Sequence, residues 1–152
     1  MSSTLQALLS RERAAIQTYI ELLDEEARAL GESDFARLPE LARLKSETAV
    51  QITALEQQRD QVQLGLGYPP GRAGAEAACA VGGPELARTW QEVLVSAEAA
   101  HTRNHRNGVM IHTQLEFTRQ TLGFLRSSGQ PLYGPDGSHK SGSSGGVSLA
   151  QG

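Results

Sequence analysis

The chain reads as an all-α protein, and three observations carry that reading. Apolar residues recur at spacings of three and four through three separate stretches. No run of alternating polar and apolar residues is long enough to make a strand. The 152 residues include only three Phe, three Tyr and one Trp. A core poor in rings and rich in Leu and Ala suits thin helix-on-helix seams rather than a thick centre. The expected architecture is three long helices, two of them an antiparallel hairpin in a coiled-coil-like bundle, followed by a flexible Gly/Ser-rich C-terminal tail. The length fits one domain.

The first helix is expected over about 4–30. Leu5, Leu9, Ile16, Tyr19, Leu23, Ala27 and Leu30 mark its apolar face, with a seven-residue gap over Glu12. Ser3 with Gln6 offers a capping box at its start, and Gly31 stands where a C-cap glycine is expected. The second helix is expected over 34–64, capped by Ser33 or Asp34. Pro39 disfavours helical dihedrals at Leu38, so either the helix begins near Pro39 or a short turn precedes it. Leu41, Leu44, Thr48, Ile52, Leu55, Arg59, Val62 and Leu66 then form a strict 3-4 seam, opposite a solvated face of Glu40, Glu47, Gln51, Gln58 and Gln61.

Residues 65–83 read as a loop, because Gly65, Gly67, Pro69, Pro70, Gly71, Gly74, Gly82 and Gly83 interrupt the period; 73–81 rates at most a weak helical turn. Pro84 is a good first helical residue. From there Leu86, Trp90, Val93, Ala97, Ala100, Asn104, Gly108, Ile111, Leu115, Thr118, Leu122 and Leu125 extend a seam over 84–128, a helix about 65 Å long. The helical domain is therefore 1–128. Residues 127–152 contain seven Gly and seven Ser; such a composition does not offset its ordering entropy, so 129–152 is expected to be a flexible tail.

Charge and motifs exclude several functions. There are 14 Lys and Arg against 17 Asp and Glu, a balance that argues against nucleic-acid binding. Residues 1–64 carry a net charge of −4, whereas 103–126 hold four Arg against one Glu. A lone cysteine, Cys79, forms no internal disulfide and suggests a reducing compartment. No signal-like N-terminus and no membrane span are visible, so a cytoplasmic location without membrane insertion is expected. No phosphate loop, nucleophile elbow or activated cysteine occurs, so no enzyme and no cofactor are expected.

His101, His105 and His112 lie along one face of the last helix, and Glu98 with His101 makes a Glu-x-x-His pair. A dinuclear bundle site needs two such pairs plus glutamates from further helices, so a solvated polar face is preferred and no metal is expected.

The stretch 104–111 is more informative. Asn, Asn and Gly are poor interior helix residues, yet the seam runs through Asn104 and Gly108. An amide there can fix register, and a glycine admits a neighbouring backbone. The bland reading is internal packing; the sharper one is a docking surface for a partner helix.

Asn104 through Ile111, then Leu115, Leu122 and Leu125, then Leu132-Tyr133-Gly134-Pro135-Asp136-Gly137, together resemble the FlgN family of flagellar export chaperones. Leu5, Leu9 and Leu23, and Leu41, Leu44, Lys45, Leu55 and Arg59, fit the family's first two helices. The poorly matched parts are 65–83 and 138–152. The resemblance implies a role in bacterial flagellum biogenesis and type III secretion: a cytoplasmic chaperone that binds the helical C-terminal ends of the hook-associated proteins FlgK and FlgL. It implies client contacts at Asn104, Asn107, Gly108, Ile111, Leu115, Leu122 and Leu125, and docking of Tyr133 on the export-gate protein FlhA. Two alternatives stay open. One is a coiled-coil scaffold without a client-release cycle, which would form a homodimer or larger homo-oligomer through the 104–125 seam. The other is a metal-binding bundle using Glu98, His101, His105 and His112.

Overall fold

The computed structural model describes residues 2–129. Their regular structure is helical: α1 (Ser2–Gly31), a 3-10 turn (Phe35–Arg37), α2 (Leu38–Gly65), α3 (Gly71–Val81) and α4 (Pro84–Ser127). The described residues divide into two units, one up to Gly108 and one from Val109 on. The expected tail and Tyr133 lie outside the described residues.

In the first unit, side-chain pairs set the directions of the helices. Glu12 meets Arg59 and Glu26 meets Lys45, so α1 and α2 run antiparallel. Gln6 reaches Thr89, Arg13 pairs with Glu92, and Asp24 with Arg103, so α4 runs parallel to α1. The core between them holds Leu5, Leu9, Ile16, Ile20 and Leu23 of α1, Ala75, Ala78 and Cys79 of α3, and Leu86, Trp90, Val93 and Ala100 of α4. Tyr19, Ile52, Val62 and Leu66 pack against its margin.

The α2 seam is seen as expected: Leu41, Thr48, Leu55 and Arg59 are buried, and Leu44, Ile52, Val62 and Leu66 are half-buried. The polar face of Glu40, Glu47, Gln51, Gln58 and Gln61 is exposed. A 3-10 turn precedes α2, and Pro39 sits in its first turn, where a missing N–H costs nothing. Leu38 nevertheless takes helical dihedrals, φ −64° and ψ −40°.

Three local expectations are corrected. The capping box is not formed, because Gln6 Nε2 donates to Thr89 Oγ1 at 2.8 Å across the α1–α4 seam. Gly31 is the last residue of α1, and the left-handed position falls on Ser33, φ 57°. There Ser33 N–H donates to Leu30 O and Asp34 N–H to Ala29 O, the paired bonds of a Schellman cap.

The third correction is the segment 65–83, which is not simply a loop. It contains the 11-residue helix α3. Gln63, buried at the end of α2, donates from Nε2 to Pro69 O at 2.8 Å and to Gly71 O at 3.1 Å. Asp60 Oδ1 accepts from Gly71 N–H at 2.9 Å. These bonds hold the turn that starts α3. Gly74 is required by contact: a Cβ there would lie 1.7 Å from Pro69 O. Small residues thus let α3 approach closely; its alanines are good helix formers, and packing offsets the cost of Gly74.

The α4 seam keeps the 3-4 spacing but runs through other residues than expected. Val93, Ala100 and Asn107 are buried, spaced by seven, with Ser96 and Arg103 half-buried between them. Ala97, Asn104 and Gly108, which the alternation placed in the seam, are exposed.

Candidate docking helix

Charged and amide groups specify the inner face of the first unit. Glu12 is 2% exposed, and both its carboxylate oxygens accept from Arg59 Nη1, at 2.7 and 2.6 Å. The Arg59 guanidinium also lies 5.2 Å from the centre of the Trp90 ring, so one cation links α1, α2 and α4. Burial raises the Glu12 carboxyl above its usual range, against the lowering pull of Arg59. Cys79 is buried in the same core, and burial raises its thiol as well, which leaves it a poor nucleophile.

A second knot lies nearer the end of this unit. Asn107 Nδ2 donates to Leu23 O at 2.8 Å and to Glu26 Oε1 at 2.9 Å. Glu26, itself buried, accepts from Lys45 Nζ at 3.0 Å. Around this knot Arg103 and Arg106 approach Asp24 at 2.9 and 3.8 Å. Asn107 is 1% exposed. Its expected role as a partner contact is therefore corrected: the amide ties α4 to α1 and offers no face outward. Asn104 and Gly108 are exposed on α4, and Gly108 has open space where a Cβ would stand. Gly108 is thus not there to admit a neighbouring backbone.

The second unit, from Val109 on, contains the last part of α4. Leu115 is 60% and Leu122 is 41% exposed; Ile111 and Leu125 are half-buried. These four residues share one face of the helix. Val109, Phe117 and Phe124 are exposed too, the two rings by 69% and 68%. Phe117 and Phe124 lie off the 3-4 row and so outside the seam that the spacing predicts. Their seven-residue spacing, with Met110 seven residues earlier, is the signal that marks a second row. On the polar side Arg119 bonds Glu116 at 3.2 Å.

Such a helix has the chemistry of a protein-binding element: large apolar side chains left in water, with nothing reactive nearby. His101, His105, His112 and Glu98 are all exposed. Among the described residues no three His, Cys, Asp or Glu side chains cluster to hold a metal. No described helix is long and apolar enough to cross a membrane.

The family model described as FlgN protein matches residues 1–141. This chain belongs to the FlgN family. Two relatives agree: the flagella synthesis protein FlgN of Yersinia enterocolitica, and that of its serotype O:8 / biotype 1B strain, are each 42% identical over 58 residues. The alignment covers 38% of this chain and 40% of each relative. No solved structure matches. The described residues are thus all-helical, in a chain of a family connected with flagellar synthesis.

Proposed function

We propose that this FlgN-family chain is a cytoplasmic type III export chaperone that holds the helical C-terminal ends of the hook-associated proteins FlgK and FlgL before secretion. The observation that carries this reading is the exposed apolar face of 109–127 in a chain of this family. Leu115 and Leu122 form its open centre, flanked by Ile111 and Leu125. A client end that forms coiled coils once assembled is adhesive when alone, and an amphipathic helix covers it in the helix-in-groove mode. Ordering costs keep such an interface releasable, so holding consumes no ATP and needs no metal. Arg119 and Arg126, beside the leucines, favour clients with acidic flanks. Asn107 serves this role indirectly, by anchoring α4. Tyr133 is proposed to dock on the export-gate protein FlhA, where competition releases the client.

Titration calorimetry against the isolated C-terminal helical segments of FlgK and FlgL tests the reading. Saturable one-to-one binding is expected, and a variant carrying Leu115→Glu and Leu122→Glu should lose it while keeping its helical circular dichroism. Binding to neither segment by folded protein would refute the chaperone role. Binding that survives both glutamates would move the site elsewhere.

A further inference from the structure

Three polar atoms inside the first unit have no hydrogen-bond partner among the described residues: Arg59 Nε, Gln63 Oε1 and Trp90 Nε1. Gln63 is fully buried, and Arg59 and Trp90 are nearly so. A buried N–H or carbonyl left without a partner costs free energy, and most such groups find one in protein or in ordered water.

The register of the helices brings the three together. The pairs Glu12–Arg59 and Glu26–Lys45 put Gln63 level with Leu8 of α1. The pairs Gln6–Thr89 and Arg13–Glu92 put Trp90 at a level between Gln6 and Arg13. Trp90 thus stands beside the stretch of α2 bounded by Arg59 and Gln63. Those two residues share one face of α2, one turn apart, about 6 Å along the axis. The Arg59 guanidinium lies 5.2 Å from the centre of the Trp90 ring.

The neighbouring groups are already engaged or are apolar. Arg59 Nη1 donates to both oxygens of Glu12. Gln63 Nε2 donates to Pro69 O and Gly71 O, which fixes the amide so that Oε1 is its free end. The buried residues of α3, which starts from that turn, are Gly74, Ala75, Ala78 and Cys79. None of them has a side chain with a strong donor or acceptor.

The three atoms select their guest. Two N–H groups need an acceptor, and one carbonyl oxygen needs a donor. An anion would suit the two donors, but it would face Gln63 Oε1 and the Glu12 carboxylate on the same guanidinium. A cation would face Arg59 itself. The guest is therefore neutral, and it both accepts and donates. Water is the smallest molecule that does so. Buried waters typically make about three hydrogen bonds, which is the number offered here.

We propose that Arg59 Nε, Gln63 Oε1 and Trp90 Nε1 hold one buried water molecule that joins α2 to α4. The water accepts from Arg59 and Trp90 and donates to Gln63. The guanidinium is then held on two sides, by Glu12 at Nη1 and by water at Nε. This inference does not rest on the chaperone reading.

A crystal structure of the full chain that resolves ordered waters tests it. One water should lie about 2.7–3.2 Å from each of the three atoms. Solution spectra give an independent check, because the chain has a single Trp and its indole N–H gives one resonance. That proton should show nuclear Overhauser peaks to water of opposite sign in the laboratory and rotating frames, the signature of a water that stays longer than the protein tumbles. Trp90→Phe keeps an aromatic ring and removes one partner. Oxygen-17 relaxation dispersion should then show the water's residence time shortened about fivefold or more. Density that reaches fewer than three of the atoms overturns the proposal, as does an indole proton with no water peak. An unchanged residence time in Trp90→Phe overturns it too. So does a direct bond from Trp90 Nε1 to Gln63 Oε1, which would replace water as the link.

Discussion

The two units of this chain use their side chains differently. Up to Gly108, charged and amide groups are buried: Glu12, Glu26, Arg59, Gln63 and Asn107 all lie inside. From Val109 on, large apolar groups are in water: Leu115, Phe117, Leu122 and Phe124. A buried polar group contributes little net stability when paired, but it is costly to leave unpaired, so it penalises every wrong register. An exposed apolar group contributes nothing to the unit that carries it and awaits something outside. The contrast separates the part of the chain that specifies a structure from the part that offers a surface. It can be broken or sharpened by substitution.

The largest effect is expected at Arg59. Arg59→Met leaves the Glu12 carboxylate buried without its counter-charge and should cost about 3–5 kcal/mol in urea unfolding. Adding Glu12→Leu should restore most of that loss, since an apolar pair replaces an ion pair at little cost. A double variant no more stable than the single one would remove the argument that the pair is costly only when broken.

Next comes Asn107. Asn107→Ala removes two donated bonds and leaves Glu26 short of a partner, for a loss of about 1–3 kcal/mol. Leu115→Ala, a larger deletion on the exposed face, should change stability by less than about 0.5 kcal/mol. Similar losses at the two sites would mean that Leu115 is packed in solution and that the units do not differ in this way.

The third expectation concerns pH. Burial raises the folded-state carboxyl of Glu12 above its ordinary 4.5. The folded state therefore holds this proton more tightly than the unfolded chain does. The stability that follows is fully present below about pH 4.5 and is lost as pH rises through the folded value. Glu12→Gln cannot lose a proton and lacks this dependence. The stability of the wild type minus that of Glu12→Gln should thus fall as pH rises above 4.5, as followed by urea unfolding at several pH values. A difference that grows with pH would show that Arg59 outweighs burial.

The smallest effect is at Ser33. Its left-handed dihedral costs a residue with a Cβ about 1 kcal/mol, so Ser33→Gly should raise the melting temperature by a few degrees. No change would indicate that the side chain compensates the strain locally.

Much of this was legible in the sequence because helical periodicity is a local property. The α2 seam follows the 3-4 spacing residue by residue, and even Arg59 falls in the row that the period predicts. The gap over Glu12 in α1 is the same seam occupied by the opposite charge. Spacing shows that a charged residue lies on the inner face, but only the approach of α1 to α2 shows which charge answers it. Segment 65–83 misled for a related reason. Glycine and proline mark breaks when read alone, yet here Gln63 and Asp60 supply the bonds that organise the turn, and Gly74 admits the backbone of Pro69.

The exposed apolar face of α4 was legible in part. Leu115 and Leu122 are where the period places them, and they are exposed. The family resemblance puts Asn107 in the same set. Its amide instead finds Leu23 and Glu26, more than eighty residues away in sequence. The aromatic row was missed because a single strict seam was fitted to a helix that carries two.

By itself, the sequence determined the helical class, the extents of the three long helices to within a few residues and the apolar rows along them. These follow from dihedral preference and side-chain spacing within a few turns. Tertiary structure alone decided which polar groups are buried and satisfied, that α3 exists, and where along α4 packing gives way to exposure. Those outcomes depend on which distant side chains arrive at the same place, and the free energy of burying a polar group changes sign according to whether its partner is there.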